Sequence, residues 1–228
     1  MRDELVSLLS SLVSIPSVNP LIAPAEGSNE TEIAGFAAGW LNDHGVRAWV
    51  EEAAPGRTNV VAEVHATTSG AGRAGEDEGP TLVLCAHLDT VGTEGMTIPP
   101  FEPRIDGRQV YARGISDNKG QHFAHLKAVE AYFRTGTPLP CDLTFVIEGE
   151  EEDGSKHLPA FVVDNRERLK ADIALVLAGD GRGNRILRAA ELVKQGYVPK
   201  VLVSGPDGNY GLHECDLAIP FATKAGYP

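Results

Sequence analysis

Three polar segments of the chain carry side chains that could do chemistry together. His87 and Asp89 end the segment TLVLCAHLD, Asp117 lies in ARGISDNKG, and the acidic segment 148–153 follows DLTFVI. Histidine together with aspartate and glutamate is a typical set of zinc ligands. An aspartate near such a histidine can orient the ring through its second nitrogen. The three segments therefore predict a divalent metal site.

Each segment alone also has a more ordinary interpretation. A histidine at a strand end is more often simply hydrogen bonded, and Asp117 could cap the helix that follows it. Exposed acidic loops are usually only solvated. However, the five carboxylates of 148–153 follow a buried strand and repel one another, and a divalent cation would relieve that repulsion. The occurrence of all three segments at successive strand ends favours the metal site.

Buried strands alternating with helices must position these segments. The predicted strands are 47–51, 59–65, 81–88, 109–112, 142–147, 172–177 and 200–203. The predicted helices are an N-terminal helix and segments at about 28–44, 118–133, 155–168, 184–196 and 213–225. This alternation predicts an α/β three-layer sandwich with a largely parallel twisted sheet, in which functional sites lie at the carboxyl ends of strands.

Two finer predictions concern the N-terminal part of the chain. Ser28 offers cap chemistry for the second helix, with Thr31 and Glu32 following it. Strands 47–51 and 59–65 are predicted to be neighbours because only a short turn separates them. The small, polar and Gly-rich segment 66–80 is predicted to be a surface connection.

Composition excludes several classes of function. The net charge of −12 argues against a nucleic-acid partner, because no basic surface could neutralise phosphates. No segment approaches the roughly 18 apolar residues of a membrane span, so no membrane association is expected. Three cysteines without a CxxC spacing favour a reducing cytoplasm over a disulfide framework.

The segments CAHLDTV, ARGISDNKG and EGEEEDGS, in this order, closely resemble a family of co-catalytic zinc peptidases and deacylases. The family includes acetylornithine deacetylase, succinyl-diaminopimelate desuccinylase, carboxypeptidase G and carnosine dipeptidase. The resemblance implies a zinc-dependent amidohydrolase that hydrolyses N-acyl amino acids or small peptides with a water molecule shared by two metals. Two Zn²⁺ ions per site are expected, and Co²⁺ or Mn²⁺ are also compatible.

The resemblance also implies a role for each residue of the three segments. His87 would bind one metal, and Asp89 would orient that histidine. Asp117 would bridge both metals, and the peptide bond after it would be cis. Glu152 would bind the second metal, and Glu151 would be the general base.

Asp180 has two competing interpretations. The family has a further acidic ligand at the next strand end, and Asp180 stands at about the right interval after Glu151 to bind the first metal. Alternatively, Asp180 belongs to a Gly-rich loop at 179–183 that could hold an anion at a helix N-terminus. A second glycine-containing loop, 205–211, is expected to be a turn.

The similarity extends from residue 1 to about residue 175, so the chain is expected to have only the N-terminal half of such an enzyme. Segment 1–173 would be part of the zinc-peptidase catalytic domain, without the family's lid and dimerisation domain. Segment 174–228 would continue the α/β fold, and it resembles a bacterial envelope-associated family, which suggests a fused fragment. The alternative function is a catalytically incomplete metal- or anion-binding fragment.

Overall fold

The computed structural model describes residues 2–26, 28–66, 80–176, 183–203 and 213–227. The helices of this part of the chain are α1 (Arg2–Ser14), α2 (Glu30–Asp43), α3 (Lys119–Thr135), α4 (Leu158–Asp164), α5 (Asn184–Lys194) and α6 (Glu214–Lys224). The strands are β1 (Arg47–Ala54), β2 (Arg57–Val64), β3 (Thr81–His87), β4 (Arg104–Asp106), β5 (Gln109–Tyr111), β6 (Asp142–Glu148), β7 (Ile173–Val176) and β8 (Lys200–Val203).

The main sheet of the described residues has six strands in the order β1-β2-β6-β3-β7-β8. The pairs β3–β7 and β7–β8 are parallel, whereas β1 and β2 are antiparallel neighbours. Strands β4 and β5 form a separate antiparallel hairpin. The predicted α/β class with a largely parallel sheet is therefore confirmed, as is the predicted pairing of the first two strands.

One compact unit comprises Met1–Val64, Ala86–Pro138 and Phe145–Asp164. In it α1 packs on α3, and α2 packs on β1 and β2. Leu12 of α1, Ile33 and Leu41 of α2, and Phe145 and Ile147 of β6 are fully buried in this unit. Burial of such faces is the main stabilising contribution to the fold.

A second compact unit comprises His65–Cys85, Leu139–Thr144 and Asn165–Pro228. Its helices α5 and α6 pack around a small apolar cluster. The buried members of that cluster are Val176, Ile186, Ala189 and Ala218. No described helix combines the length and apolar composition that a bilayer crossing requires.

Two local predictions differ from the structure. Ser28 does not cap α2, because its backbone forms a β-bridge with Ser17 and Asn29 becomes the N-cap residue. Helix α4 spans Leu158–Asp164 and is shorter at both ends than the predicted 155–168. Gly154 and Ser155 adopt positive φ angles of 96° and 53°, which do not allow the helix to begin there. The connection at 67–79 lies outside the described residues, and the boundary near residue 174 stays a prediction.

Candidate metal centre

His87 is a buried histidine at the carboxyl end of β3, and a neighbouring carboxylate fixes its orientation. Its Nδ1 atom lies 3.3 Å from Oδ1 of Asp89 and 3.1 Å from the backbone oxygen of the same residue. Its Nε2 atom lies 3.1 Å from Oδ1 of Asp117 and 3.6 Å from Oε2 of Glu151. One ring nitrogen is thus held by Asp89, while the other faces the acidic groups.

Asp89 also contacts the acidic loop after β6. Its Oδ1 atom accepts a hydrogen bond from the backbone N–H of Glu151 at 3.2 Å, and its Oδ2 atom accepts one from Glu152 at 3.0 Å. Asn19 donates a third hydrogen bond to Oδ2 at 2.8 Å. Burial alone would raise the pKa of Asp89, but the hydrogen bonds from His87 and these donors hold it below its ordinary value.

Asp117 lies in the turn between β5 and α3, and its side chain is half exposed. The peptide bond between Asp117 and Asn118 is cis, as the family resemblance implies. The capping interpretation of Asp117 is wrong, because Asn118 is the N-cap residue of α3. Asn118 instead accepts a hydrogen bond from the backbone N–H of His87 at 3.2 Å, which joins this turn to the end of β3.

Glu151 and Glu152 begin a short 3-10 helix, Glu151–Asp153, directly after β6. Together with His87, each offers one ligand atom, and these atoms all lie within 4.8 Å of one another. Nitrogen and carboxylate oxygen are suitable donors for zinc and for other first-row divalent metals. The donor set therefore fits a divalent cation, with Asp117 at the edge of the same cluster.

The electrostatics of the cluster favour positive charge. Burial lowers the pKa of His87, but its hydrogen bonds to Asp117 and Asp89 raise that pKa to about 10. Burial raises the pKa of Glu152 to about 7, and the nearby carboxylates of Asp117, Asp89 and Glu151 add to this effect while His87 opposes it. These shifts reflect carboxylates that repel one another unless a proton or a cation lies between them.

A cavity of about 160 Å³ adjoins the cluster. Asp117 and Glu152 contribute to its wall together with Val91 and neighbours from the β5–α3 turn. The lining residues are Val91, Ala112, Arg113, Gly114, Ile115, Ser116, Asp117 and Glu152. The cavity offers space for a small group beside the candidate metal ligands.

The model of peptidase family M20/M25/M40 matches residues 83–210, which is more than half of the chain. This match includes His87, Asp117 and the acidic loop. The chain belongs to the M20/M25/M40 peptidase family. The family suggested by the three sequence segments is thereby confirmed.

Curated relatives of this M20 chain include a dipeptidase and a desuccinylase. A beta-Ala-His dipeptidase from Homo sapiens is 33% identical over 104 residues, which are 44% of this chain and 20% of that protein. A succinyl-diaminopimelate desuccinylase from Erythrobacter litoralis is 32% identical over 152 residues, which are 58% of this chain and 38% of that protein. The M20 chain thus spans well under half the length of these relatives.

Solved structures of the family share the fold of the M20 chain. Human carnosine dipeptidase 1 aligns with a TM-score of 0.65 at 26% identity, over 78% of this chain and 38% of that chain. The M20 family metallo-carboxypeptidase Sso-CP2 from Sulfolobus solfataricus aligns with a TM-score of 0.63 at 27% identity, over 75% of this chain and 36% of that chain. The described sheet and its flanking helices are those of an M20 catalytic domain.

The structure brings together five of the six residues predicted for the site of this M20 chain. All five lie in the first compact unit. His87 and Asp89 are at the end of β3, Asp117 is in the turn between β5 and α3, and Glu151 and Glu152 follow β6. Asp180 and most of its glycine loop fall in 177–182, outside the described residues, as does the loop at 205–211. The assignment of Asp180 to the first metal stays a prediction.

Two residues that contact the neighbours of the proposed metal ligands are not indicated by the sequence. Asn19 contacts Asp89, and Arg57 contacts Glu150, the residue that precedes Glu151. The partners are 70 and 93 positions apart in the sequence, so no local spacing indicates them. A lone arginine at a turn is normally exposed, and its type alone gives no signal of burial.

Lys119, in the first turn of α3, is a further buried cation next to the site. Its Nζ atom donates hydrogen bonds to the backbone oxygens of Leu12 at 3.2 Å and Ile15 at 2.9 Å. Burial lowers the pKa of Lys119 to about 7, although the charge of Asp89 opposes this. These contacts join the start of α3 to the end of α1.

Proposed function

We propose that this M20 chain is a zinc-dependent amidohydrolase that acts on N-acyl amino acids or small peptides. The observation that carries the proposal is the convergence of His87, Glu151 and Glu152 within 4.8 Å, with Asp117 Oδ1 at 3.1 Å from the histidine. Membership of a peptidase family supports hydrolysis of an amide bond. Zinc suits this mixture of imidazole and carboxylate donors, and Co²⁺ or Mn²⁺ would also fit.

His87, Asp117 and Glu152 are the proposed metal ligands among the described residues. Asp89 is the proposed orienting residue, because it holds the Nδ1 side of His87 and leaves Nε2 toward the cluster. Two ions per site are proposed, and Asp117 would be a ligand of both. Bound divalent cations lower the pKa of a water molecule and polarise a carbonyl group.

Glu151 is the proposed general base. Its Oε2 atom lies 3.6 Å from Nε2 of His87, so its carboxylate is part of the cluster. Glu151 itself lies in the short 3-10 helix after β6. From that position its carboxylate can take a proton from water and deliver it to the leaving nitrogen. The backbone N–H of Glu151 donates a hydrogen bond to Asp89, which keeps the proposed base close to the orienting carboxylate.

The proposed substrates are small molecules of the kind that the names of the relatives describe. The adjoining cavity, of about 160 Å³, accommodates a short acyl group or a small amino-acid side chain. The names of the relatives agree with this size, since one acts on a dipeptide of β-alanine and histidine and another removes a succinyl group. The proposed location is the cytoplasm, based on the cysteine pattern of the sequence.

The test is an activity assay of the zinc-loaded chain. Its substrates are N-acetyl amino acids, N-succinyl amino acids and dipeptides, and hydrolysis is measured as the release of free amine. Wild-type protein is expected to hydrolyse at least one class, and Glu151→Gln is expected to retain zinc without turnover. Zinc binding by the wild type without turnover on any class would instead support the alternative, a metal-binding chain that is catalytically incomplete.

A further inference from the structure

Arg57 is a buried arginine at the first position of β2, with a side chain that is only 10% exposed. Its Nη1 atom forms an ion pair with Oε1 of Glu30 at 2.8 Å. Its Nε atom donates to Oε1 of Glu150 at 2.9 Å, and its Nη2 atom donates to the backbone oxygen of Gly149 at 3.0 Å. The guanidinium therefore binds the two residues that directly precede Glu151.

Glu150 extends this contact to the far end of the acidic loop. Its carboxylate, only 3% exposed, contacts Nδ1 of His157 at 2.9 Å and accepts a hydrogen bond from the backbone N–H of His157 at 3.3 Å. Arg57 thus holds the beginning of the loop between β6 and α4. Glu150, which Arg57 contacts, holds the end of the loop at His157. A buried carboxylate with this many donors holds one position.

Gly149 shows independently how closely the loop packs on β2. A Cβ atom at this position would lie 3.1 Å from the backbone oxygen of Thr58 and 3.4 Å from Oε2 of Glu30. Real Cβ atoms rarely approach so closely, so the loop backbone fits against β2 with little free space. A shift of Arg57 or Glu30 would therefore be transmitted to the loop.

We propose that Arg57 is a positioning residue of the metal centre. It fixes residues 149–153 so that the N–H groups of Glu151 and Glu152 reach Asp89 while their side chains face His87. The inference rests on the proposed function, because it concerns the placement of two residues of that centre. The arginine also neutralises buried charge, because it pairs with Glu30 and Glu150. Its hydrogen bond to the backbone oxygen of Gly149 holds the loop backbone in addition.

Arginine is suited to this role because its planar group presents several donors in a fixed geometry, whereas lysine is a single point charge. The substitution Arg57→Lys keeps the positive charge but loses the simultaneous contacts to Gly149 and Glu150. Arg57→Met removes the charge as well. Groups that orient metal ligands from behind typically change metal affinity by about 10–100-fold when they are removed.

The experiment combines three measurements on the whole chain. These are zinc affinity by competition with a chelating dye, amide hydrogen exchange of the 149–154 peptide by mass spectrometry, and the absorption spectrum of the Co²⁺ form. Arg47→Met is the charge control, because Arg47 forms an exposed ion pair with Glu63 on the same hairpin. Val61→Ala is the stability control, because Val61 is fully buried in β2 and pairs with Trp49 of β1.

Both Arg57 variants are expected to bind zinc at least about 10-fold more weakly, to exchange the 149–154 amides faster and to change the Co²⁺ spectrum. Arg47→Met should match the wild type in all three measurements, and Val61→Ala should lower the unfolding temperature without changing zinc affinity. If Arg57→Met does not fold, Arg57→Lys carries the test.

Two other outcomes are decisive. A folded Arg57→Lys variant with wild-type zinc affinity and wild-type loop exchange would overturn the inference. A wild-type chain that binds no zinc would contradict the proposed metal centre. In that case, faster exchange of the 149–154 amides in Arg57→Lys would still show that Arg57 holds the loop. Unchanged exchange would overturn that role of Arg57 as well.

Discussion

The carboxylate of Asp89 lies 3.3 Å from Nδ1 of His87 and also accepts the backbone N–H groups of two loop residues, Glu151 and Glu152. A single buried side chain thereby sets the orientation of the histidine and the position of the acidic loop. These groups come from the ends of β3 and β6, which run side by side, with Leu88 N–H donating to the backbone oxygen of Glu148 at 2.9 Å. The geometry of the centre depends on this link.

Asp89→Asn is expected to weaken zinc binding by about 10–100-fold while the chain remains folded. An amide is nearly isosteric with the carboxylate, but it cannot accept all of the hydrogen bonds from His87, Asn19 and the loop. Competition with a chelating dye measures the affinity. Asp106→Asn, in the exposed β4 strand, is the control and should bind zinc like the wild type. Equal affinity of both variants would contradict the orienting role.

Glu151 and Glu152 are expected to behave differently despite being adjacent. Glu152→Gln removes a proposed ligand and should abolish stoichiometric zinc binding. Glu151→Gln removes the proposed base, so it should retain zinc and lower kcat by about 10²–10⁴-fold on any substrate that the wild type hydrolyses. Zinc content and turnover of the two variants decide the assignment. Loss of zinc only in Glu151→Gln would exchange the two roles.

Lys119→Ala is expected to destabilise the fold by about 2–4 kcal/mol. The substitution leaves a cavity and removes the donor that binds the backbone oxygens of Leu12 and Ile15. Urea unfolding measures the change in the free energy of unfolding. Lys156→Ala is the control, because its side chain is 58% exposed and exposed ion pairs contribute little. A change below about 1 kcal/mol for Lys119→Ala would show that these two hydrogen bonds are dispensable.

Glu148 gives the metal-free protein a dependence of stability on pH. Burial, together with the charge of Asp89, raises the pKa of the Glu148 carboxyl to about 8. The folded state therefore keeps a proton that the unfolded chain releases near its ordinary pKa of about 4.5, so the contribution of Glu148 to stability falls as pH rises from about 4.5 to about 8.

Glu148→Gln does not titrate and should gain stability relative to the wild type as pH rises. The expected gain between about pH 5 and about pH 8 is at least about 2 kcal/mol in the free energy of unfolding. Urea unfolding in the presence of a chelator measures it at both values. Glu4→Gln, on the exposed surface of α1, serves as the control. A difference between wild type and Glu148→Gln that is the same at both pH values would refute the prediction.

Local pattern was sufficient to predict the strands that carry the site. The apolar run at 81–88 and the run at 142–147 correspond to β3 and β6 within one residue, and the polar residues that follow them meet in the fold. Strand ends converge because parallel strands finish at one edge of a sheet. That rule made His87, Asp89 and the acidic loop predictable as one site.

Long-range polar contacts were not predictable in the same way. Nothing in the periodicity of the sequence indicates that Arg57 is buried against Glu150 or that Asn19 reaches Asp89, because each contact joins segments that only the complete fold brings together. The cap at Ser28 was wrong for a related reason, since its β-bridge with Ser17 overrides a local preference. Tertiary contacts decide between alternatives that local chemistry leaves open.

The metal centre is tested by the zinc content per chain, measured by elemental analysis after dialysis. Wild type, His87→Ala and Glu152→Gln are compared with Glu63→Gln, a carboxylate on β2 whose partner is Arg47 and not the candidate centre. We expect at least one zinc ion per chain in the wild type and in Glu63→Gln, and almost none in the other two variants. Absence of zinc from the wild type, or equal zinc in all four proteins, would contradict a metal centre at His87 and Glu152.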